Sequence, residues 1–133
     1  MAKILIFEPD ARYRMMLRYV LEGINHRVAD TGSSEDIPTH LAAGKPDMIV
    51  LGVHLDDEAD TLPRPEWQAL PDIPILLLFS GDPDLRKAFL DNWGGAYAMN
   101  IMVQPVEPYP LLAMVKAMLT KPVEWRGGQH ALD

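Results

Sequence analysis

No cysteine occurs among the 133 residues. That absence excludes disulfides, thiolate zinc sites and thiol nucleophiles, and it fits a reducing cytoplasm. Positive charge is also scarce. Twelve Lys and Arg stand against nineteen Asp and Glu, a net charge of −7. Nucleic acid is therefore disfavoured as a partner, because phosphate contacts need clustered Lys and Arg. The one dense basic group is Arg12, Arg14 and Arg18, whose helical spacing reads as a solvated helix face. No apolar run approaches the roughly 20 residues of a membrane span. The longest, Ile73 to Phe79, has strand length. The apolar stretch after Lys3 meets Glu8 and Pro9 too soon to be a secretory leader. Repeats and low-complexity tracts are missing too, and Met1 reads as a natural start. A cytoplasmic location without membrane contact is the expectation.

What is present is one domain's worth of alternating apolar runs and helical patterns, the signature of an α/β fold with a parallel sheet. Lys3 to Phe7 reads as a central strand covered on both faces. Asp10 offers an N-cap for a helix from Ala11 to about Glu22, with Tyr13, Met16, Leu17, Val20 and Leu21 as its apolar stripe. Gly23 ends it. His26 to Asp30 is a short second strand. Ser33 or Ser34 can cap a second helix reaching Ala43, in which Pro38 must fall in the first turn or shorten the helix. Met48 to Val53 is the third strand.

The stretch from His54 to Pro65 is acidic and proline-bearing and reads as a mobile loop, with a short helix from Pro65 to Leu70. Ile73 to Phe79 is the fourth strand. Pro83 opens a fourth helix that runs to about Asn92. The fifth strand runs from Tyr97 or Ala98 to Val103, and the last helix from Tyr109 to Leu119. Residues 1–120 make the domain, and 121–133 form a tail expected to fray. Five strands and five helices in strict alternation predict a doubly wound five-stranded parallel sheet of order 2-1-3-4-5. Its functional crevice lies at the carboxyl ends of the strands.

The residues at those ends carry a family resemblance. Ile4 to Asp10, Asp47 to Gly52, Ile73 to Gly81, Gly95-Ala96 and Gln104-Pro105-Val106 resemble, in order and spacing, the strands and motifs of bacterial response-regulator receiver domains. The fold this implies is the CheY-like form of the flavodoxin-like class. The segment between Gly95-Ala96 and Gln104-Pro105 is about two residues longer than the family's, so a bulge is expected in strand five.

Members of that family accept a phosphoryl group from a histidine kinase on a strand-three aspartate, with Mg²⁺. Such chemistry needs clustered oxygens for the metal, a carboxylate nucleophile and a cation near the transferring group. Position by position, the family's acidic pair falls on Glu8 and Pro9, its acceptor on Gly52 and its lysine on Gln104, beside Pro105. Only Ser80 keeps a family-typical group. The resemblance thus implies a pseudo-receiver without catalytic residues, metal or cofactor. The loss of repelling carboxylates predicts a domain that keeps one conformation without Mg²⁺.

Asp10, Asp56 and Asp57 are the alternative acceptors. Asp10 reads as a helix cap, and the other two as solvated loop residues. His54 reads as a solvated loop histidine, and His26 and His40 lack metal-ligand spacing. Ser80 beside Gly81 lacks a nucleophile-elbow pattern and a companion His–Asp set. Met99, Met102, Met114 and Met118 read as core, and Trp93 and Trp125 as packed on the domain's own surface. Output then passes through another protein, a histidine kinase or other signalling partner, or a homodimer. In the family the face of helix four, strand five and helix five serves such docking. Here it would carry Arg86, Lys87, Phe89, Tyr97, Tyr109 and Lys116. The rival readings are a phosphorelay protein with an unusual acceptor and a flavodoxin-like ligand binder or enzyme.

Overall fold

A computed structural model of the chain describes residues 1–62, 64–68, 70, 72–93 and 99–120. The elements are β1 (Lys3–Phe7), α1 (Ala11–Gly23), β2 (Arg27–Thr31), α2 (Ile37–Ala43), β3 (Met48–Leu55), α3 (Pro65–Gln68), β4 (Ile75–Gly81), α4 (Pro83–Asn92), β5 (Met99–Val103) and α5 (Pro108–Thr120). All strand pairs are parallel, and the sheet order is β2-β1-β3-β4-β5, as expected.

Side chains along a strand alternate between the two faces of a sheet, and here each face has its own core. One gathers Leu5, Phe7, Ile49, Leu51, Ile75, Leu77 and Phe79 beneath Ile37 of α2, Trp67 of α3 and Phe89 of α4. The other gathers Ile4, Ile6, Met48, Val50, Leu76 and Leu78 beneath Leu17 and Leu21 of α1 and Leu111, Val115 and Met118 of α5. Each such side chain contributes roughly 1.5–3 kcal/mol when fully buried, so the two apolar layers outweigh any single polar contact.

Several boundaries differ from expectation. β3 runs two residues beyond Val53 to Leu55, and β4 starts at Ile75 and runs to Gly81. The ladder holds because Val53↔Phe79, His54↔Ser80 and Leu55↔Gly81 continue the β3–β4 register. Gly81 adopts φ +116, and a side chain there would strike Leu55 O, so glycine is required. The second helix is split into a 3₁₀ turn at Ser34–Asp36 and α2, where Pro38 lies in the first turn.

The acidic stretch after β3 is not an open loop. Glu58–Thr61 is a 3₁₀ turn in which Asp57 caps Asp60 N and Asp60 accepts from Asp56 N and Asp57 N. Asn92 Nδ2 ties it to α4 by donating to Thr61 O at 2.9 Å. The β4–β5 pairing runs unbroken from Ile75↔Met99 to Phe79↔Val103, so β5 carries no bulge between those residues. The start of strand five at Tyr97 or Ala98, the tail 121–133 and Trp125 lie outside the described residues.

Candidate functional site

The alternation that builds the second core also builds the site. Ile4 and Ile6 are followed on the same face by Glu8. Met48 and Val50 are followed by Gly52 and His54, Leu76 and Leu78 by Ser80, and Met102 by Gln104. Five polar or side-chain-free positions from four strand ends thus meet where the apolar face runs out.

Glu8 is the centre, with none of its surface exposed. Its Oε2 accepts from Asp10 N at 2.8 Å and lies 2.6 Å from His54 Nε2. Its Oε1 accepts from Gln104 Nε2 at 3.4 Å. The carboxylate stands directly over Gly52. A Cβ at that position would overlap Oε1 and lie 2.8 Å from Glu8 Cδ, with Phe7 O at 3.3 Å. The missing side chain of Gly52 is therefore the space that Glu8 fills.

His54 is held at both ends, since its Nδ1 lies 2.6 Å from Ser80 Oγ. The solvated-loop reading of this residue is overturned. β3 extends past it, and the strand pleat turns it into the crevice. Ser80 does have a companion histidine and carboxylate, contrary to expectation. The period-2 run Met48, Val50, Gly52, His54, with apolar Val53 and Leu55 on the opposite parity, was the signal that could have placed His54 on the strand.

Gln104 follows β5 and is half-buried at the same crevice. Its Nε2 also donates to Leu78 O at 2.9 Å, and its backbone N–H donates to Phe79 O at 2.7 Å. The Gln104–Pro105 peptide is cis. Pro9 and Pro105 are exposed at the rim.

Asp10 caps α1, accepting from Arg12 N at 2.9 Å and Tyr13 N at 3.0 Å. The Tyr13 N–H, opposed by slight desolvation and aided by the Arg12 N–H, holds its carboxyl below the usual carboxylate range. Asp56 and Asp57 are exposed.

The basic group on α1 is a solvated face at Arg12, which is exposed, but Arg14 and Arg18 are engaged in ion pairs. Arg14 Nε donates to Asp30 Oδ2 at 3.1 Å and its Nη1 to Glu8 O at 2.7 Å, and Arg18 also pairs with Asp30. These bonds pin the end of β1 from the α1 side. His26 Nδ1 accepts from Ala2 N at 3.2 Å, and burial lowers its pKa.

Mg²⁺ does not fit this pocket. That ion needs a near-octahedral set of oxygens. Glu8 is committed to three partners, Pro9 and Gly52 offer no side-chain oxygen, and Gln104 faces Glu8. Among the described residues no three His, Asp or Glu side chains group as metal ligands.

Of the expected docking residues, Lys87, Tyr109 and Lys116 are exposed and Arg86 is half-buried. Phe89 is not available: it is 3% exposed, packed in the aromatic core against Phe79 and Trp67. The amphipathic pattern of α4 put it on the inner face. Tyr97 lies outside the described residues. Trp93 packs against the same core, and Met99, Met102, Met114 and Met118 are buried or half-buried in the two cores, as expected.

No family model matches the chain. The DNA-binding transcriptional regulator NtrC of Rhizobium meliloti (strain 1021) is 29% identical over 123 residues, which are 91% of this chain and 25% of that protein. The chain thus spans about a quarter of that regulator's length. Among solved structures, a protein assigned as a response regulator of Chloroflexus aurantiacus is 26% identical with a TM-score of 0.65, covering 90% of this chain and 98% of that one. The signal receiver domain of a histidine kinase from Syntrophus aciditrophicus reaches a TM-score of 0.68 at 22% identity, covering 90% and 91%. The fold is that of the CheY-like receiver domain, and the sequence likeness to NtrC and to a response regulator points the same way.

Proposed function

We propose that this chain is a receiver-type signalling domain that works through protein contacts, without aspartyl phosphorylation and without Mg²⁺. The observation that carries this reading is the Glu8 carboxylate, fully buried over Gly52 and bonded on both oxygens. It fills the volume an acceptor side chain would need and ties up the oxygen a metal would need. A signalling role is supported by the likeness to NtrC and to receiver structures. The protein-only mode is supported by Gln104, which replaces a cation with a neutral amide.

The partner is a protein: a histidine kinase or other signalling protein, or a second copy across α4, β5 and α5. Arg86, Lys87, Tyr109 and Lys116 are the candidate contacts. Nucleic acid is not the partner of a chain this acidic. No described helix is long and apolar enough to cross a membrane, and we place the domain in the cytoplasm.

The test is incubation with phosphoramidate and Mg²⁺, followed by intact-mass and peptide mapping. The expected result is no phosphoryl adduct on any aspartate and no rise in melting temperature with Mg²⁺ or beryllofluoride, since ligand binding to the native state would raise it. A phosphoryl group on Asp10, Asp56 or Asp57 would overturn the reading.

A further inference from the structure

We propose that Glu8, His54 and Ser80 form a nucleophile relay, and that Ser80 Oγ accepts an acyl group from activated esters. The reading stands apart from the docking role, since it depends only on the three side chains. An ionised carboxylate accepts hydrogen bonds and donates none. We take Glu8 as ionised, so that the 2.6 Å contact between Glu8 Oε2 and His54 Nε2 is an Nε2–H donating to the carboxylate. The neutral ring then presents a lone pair at Nδ1, 2.6 Å from Ser80 Oγ. Ser80 donates into that lone pair and keeps its own oxygen lone pairs free.

Carboxylate, imidazole and hydroxyl in hydrogen-bonded series is the arrangement that activates serine for acyl transfer, here with the two ring nitrogens exchanged. Burial is graded along the series. Glu8 is shut off from water, the His54 side chain is 31% exposed, and Ser80 is half-buried at a strand end. The orienting carboxylate is shielded while the hydroxyl can meet a small ester.

The step balances without a further reagent. Ser80 Oγ forms a bond to the ester carbonyl carbon, and its proton passes to His54 Nδ1. The ester C–O bond breaks, and that proton goes to the departing oxygen. The products are an acylated Ser80 and a free alcohol or phenol.

The test uses 4-nitrophenyl acetate on the full chain, following 4-nitrophenolate release and mapping the acetyl group by peptide mass spectrometry. One acetyl group per chain on Ser80 is expected, and none at that position in Ser80→Ala. His54→Gln should slow labelling by about 100-fold or more, the usual contribution of a positioned base. Glu8→Gln should slow it less, as loss of the orienting carboxylate does in comparable series. In the wild type the rate should rise with deprotonation of a single group, and that dependence should vanish in His54→Gln, which a merely structural histidine would not cause.

Cooperative urea unfolding checks that each variant is folded. If Glu8→Gln is not, the Ser80 and His54 variants decide. No Ser80 adduct in the wild type, or equal rates in wild type and His54→Gln, would overturn the proposal.

Discussion

The two faces of the sheet end differently, although the same strands build both. On the α3–α4 face the last side chains of β1, β3 and β4 are Phe7, Leu55 and Phe79, all buried in the core that holds Trp67, Phe89 and Trp93. On the α1–α5 face the same strands finish on Glu8, His54 and Ser80. The first end is sealed by rings at 5.3–6.2 Å centroid spacing in tilted and edge-on contacts. The second is closed by hydrogen bonds among groups that cannot be buried unpaired. Apolar packing tolerates approximate neighbours, whereas a buried carboxylate needs each partner in place. The polar end therefore depends on particular residues, and the aromatic end on shape.

The largest effect should come from the sealed end. Phe89→Ala removes a ring in contact with Phe79, Trp67 and Trp93, and should cost about 3–5 kcal/mol in urea unfolding. A loss below about 1 kcal/mol would mean that Phe89 faces outward after all, as the docking reading had it.

At the polar end, Gly52→Ala should cost about 1–3 kcal/mol, because the added methyl overlaps Glu8. Most of that cost should disappear in a Glu8→Ala background, giving a coupling of about 0.5–3 kcal/mol between the two sites. Equal penalties in both backgrounds would mean that the carboxylate does not sit over Gly52, and the protein-only reading would lose its main support.

The smallest effect should be the pH dependence of the α1 cap. The folded-state pKa of Asp10 lies below its ordinary value of 3.8. Its contribution is therefore complete above the unfolded value and lost as pH falls through the lower folded one. As pH falls through the unfolded value and then the lower folded one, the wild type should lose stability relative to Asp10→Asn. Parallel curves for the two proteins would remove the cap from the account.

Much of the fold was legible from the chain, for reasons tied to particular residues. Continuous apolar runs such as Ile4 to Phe7 demand cover on both faces, and helices between them leave only a parallel sheet. Asp10 announces a cap because a short carboxylate before a helical stripe has an evident use. Strand ends were less legible. His54 looked like a loop residue because a polar side chain ends an apolar run, and no local feature says that its partner strand continues alongside. Phe89 looked available because the docking face was carried over by resemblance rather than by the inner stripe of α4. Arg14 and Arg18 looked solvated because their partner Asp30 stands on β2, outside the helix.

The amino-acid sequence alone determined the layers, the strand order and the absence of a side chain at position 52, since these follow from local patterning and from the identity of one residue. Only the tertiary structure decided what fills that absence. Glu8 and Gly52 lie on different strands, and the reach of one side chain over another's missing Cβ exists only once β1 and β3 are paired in register.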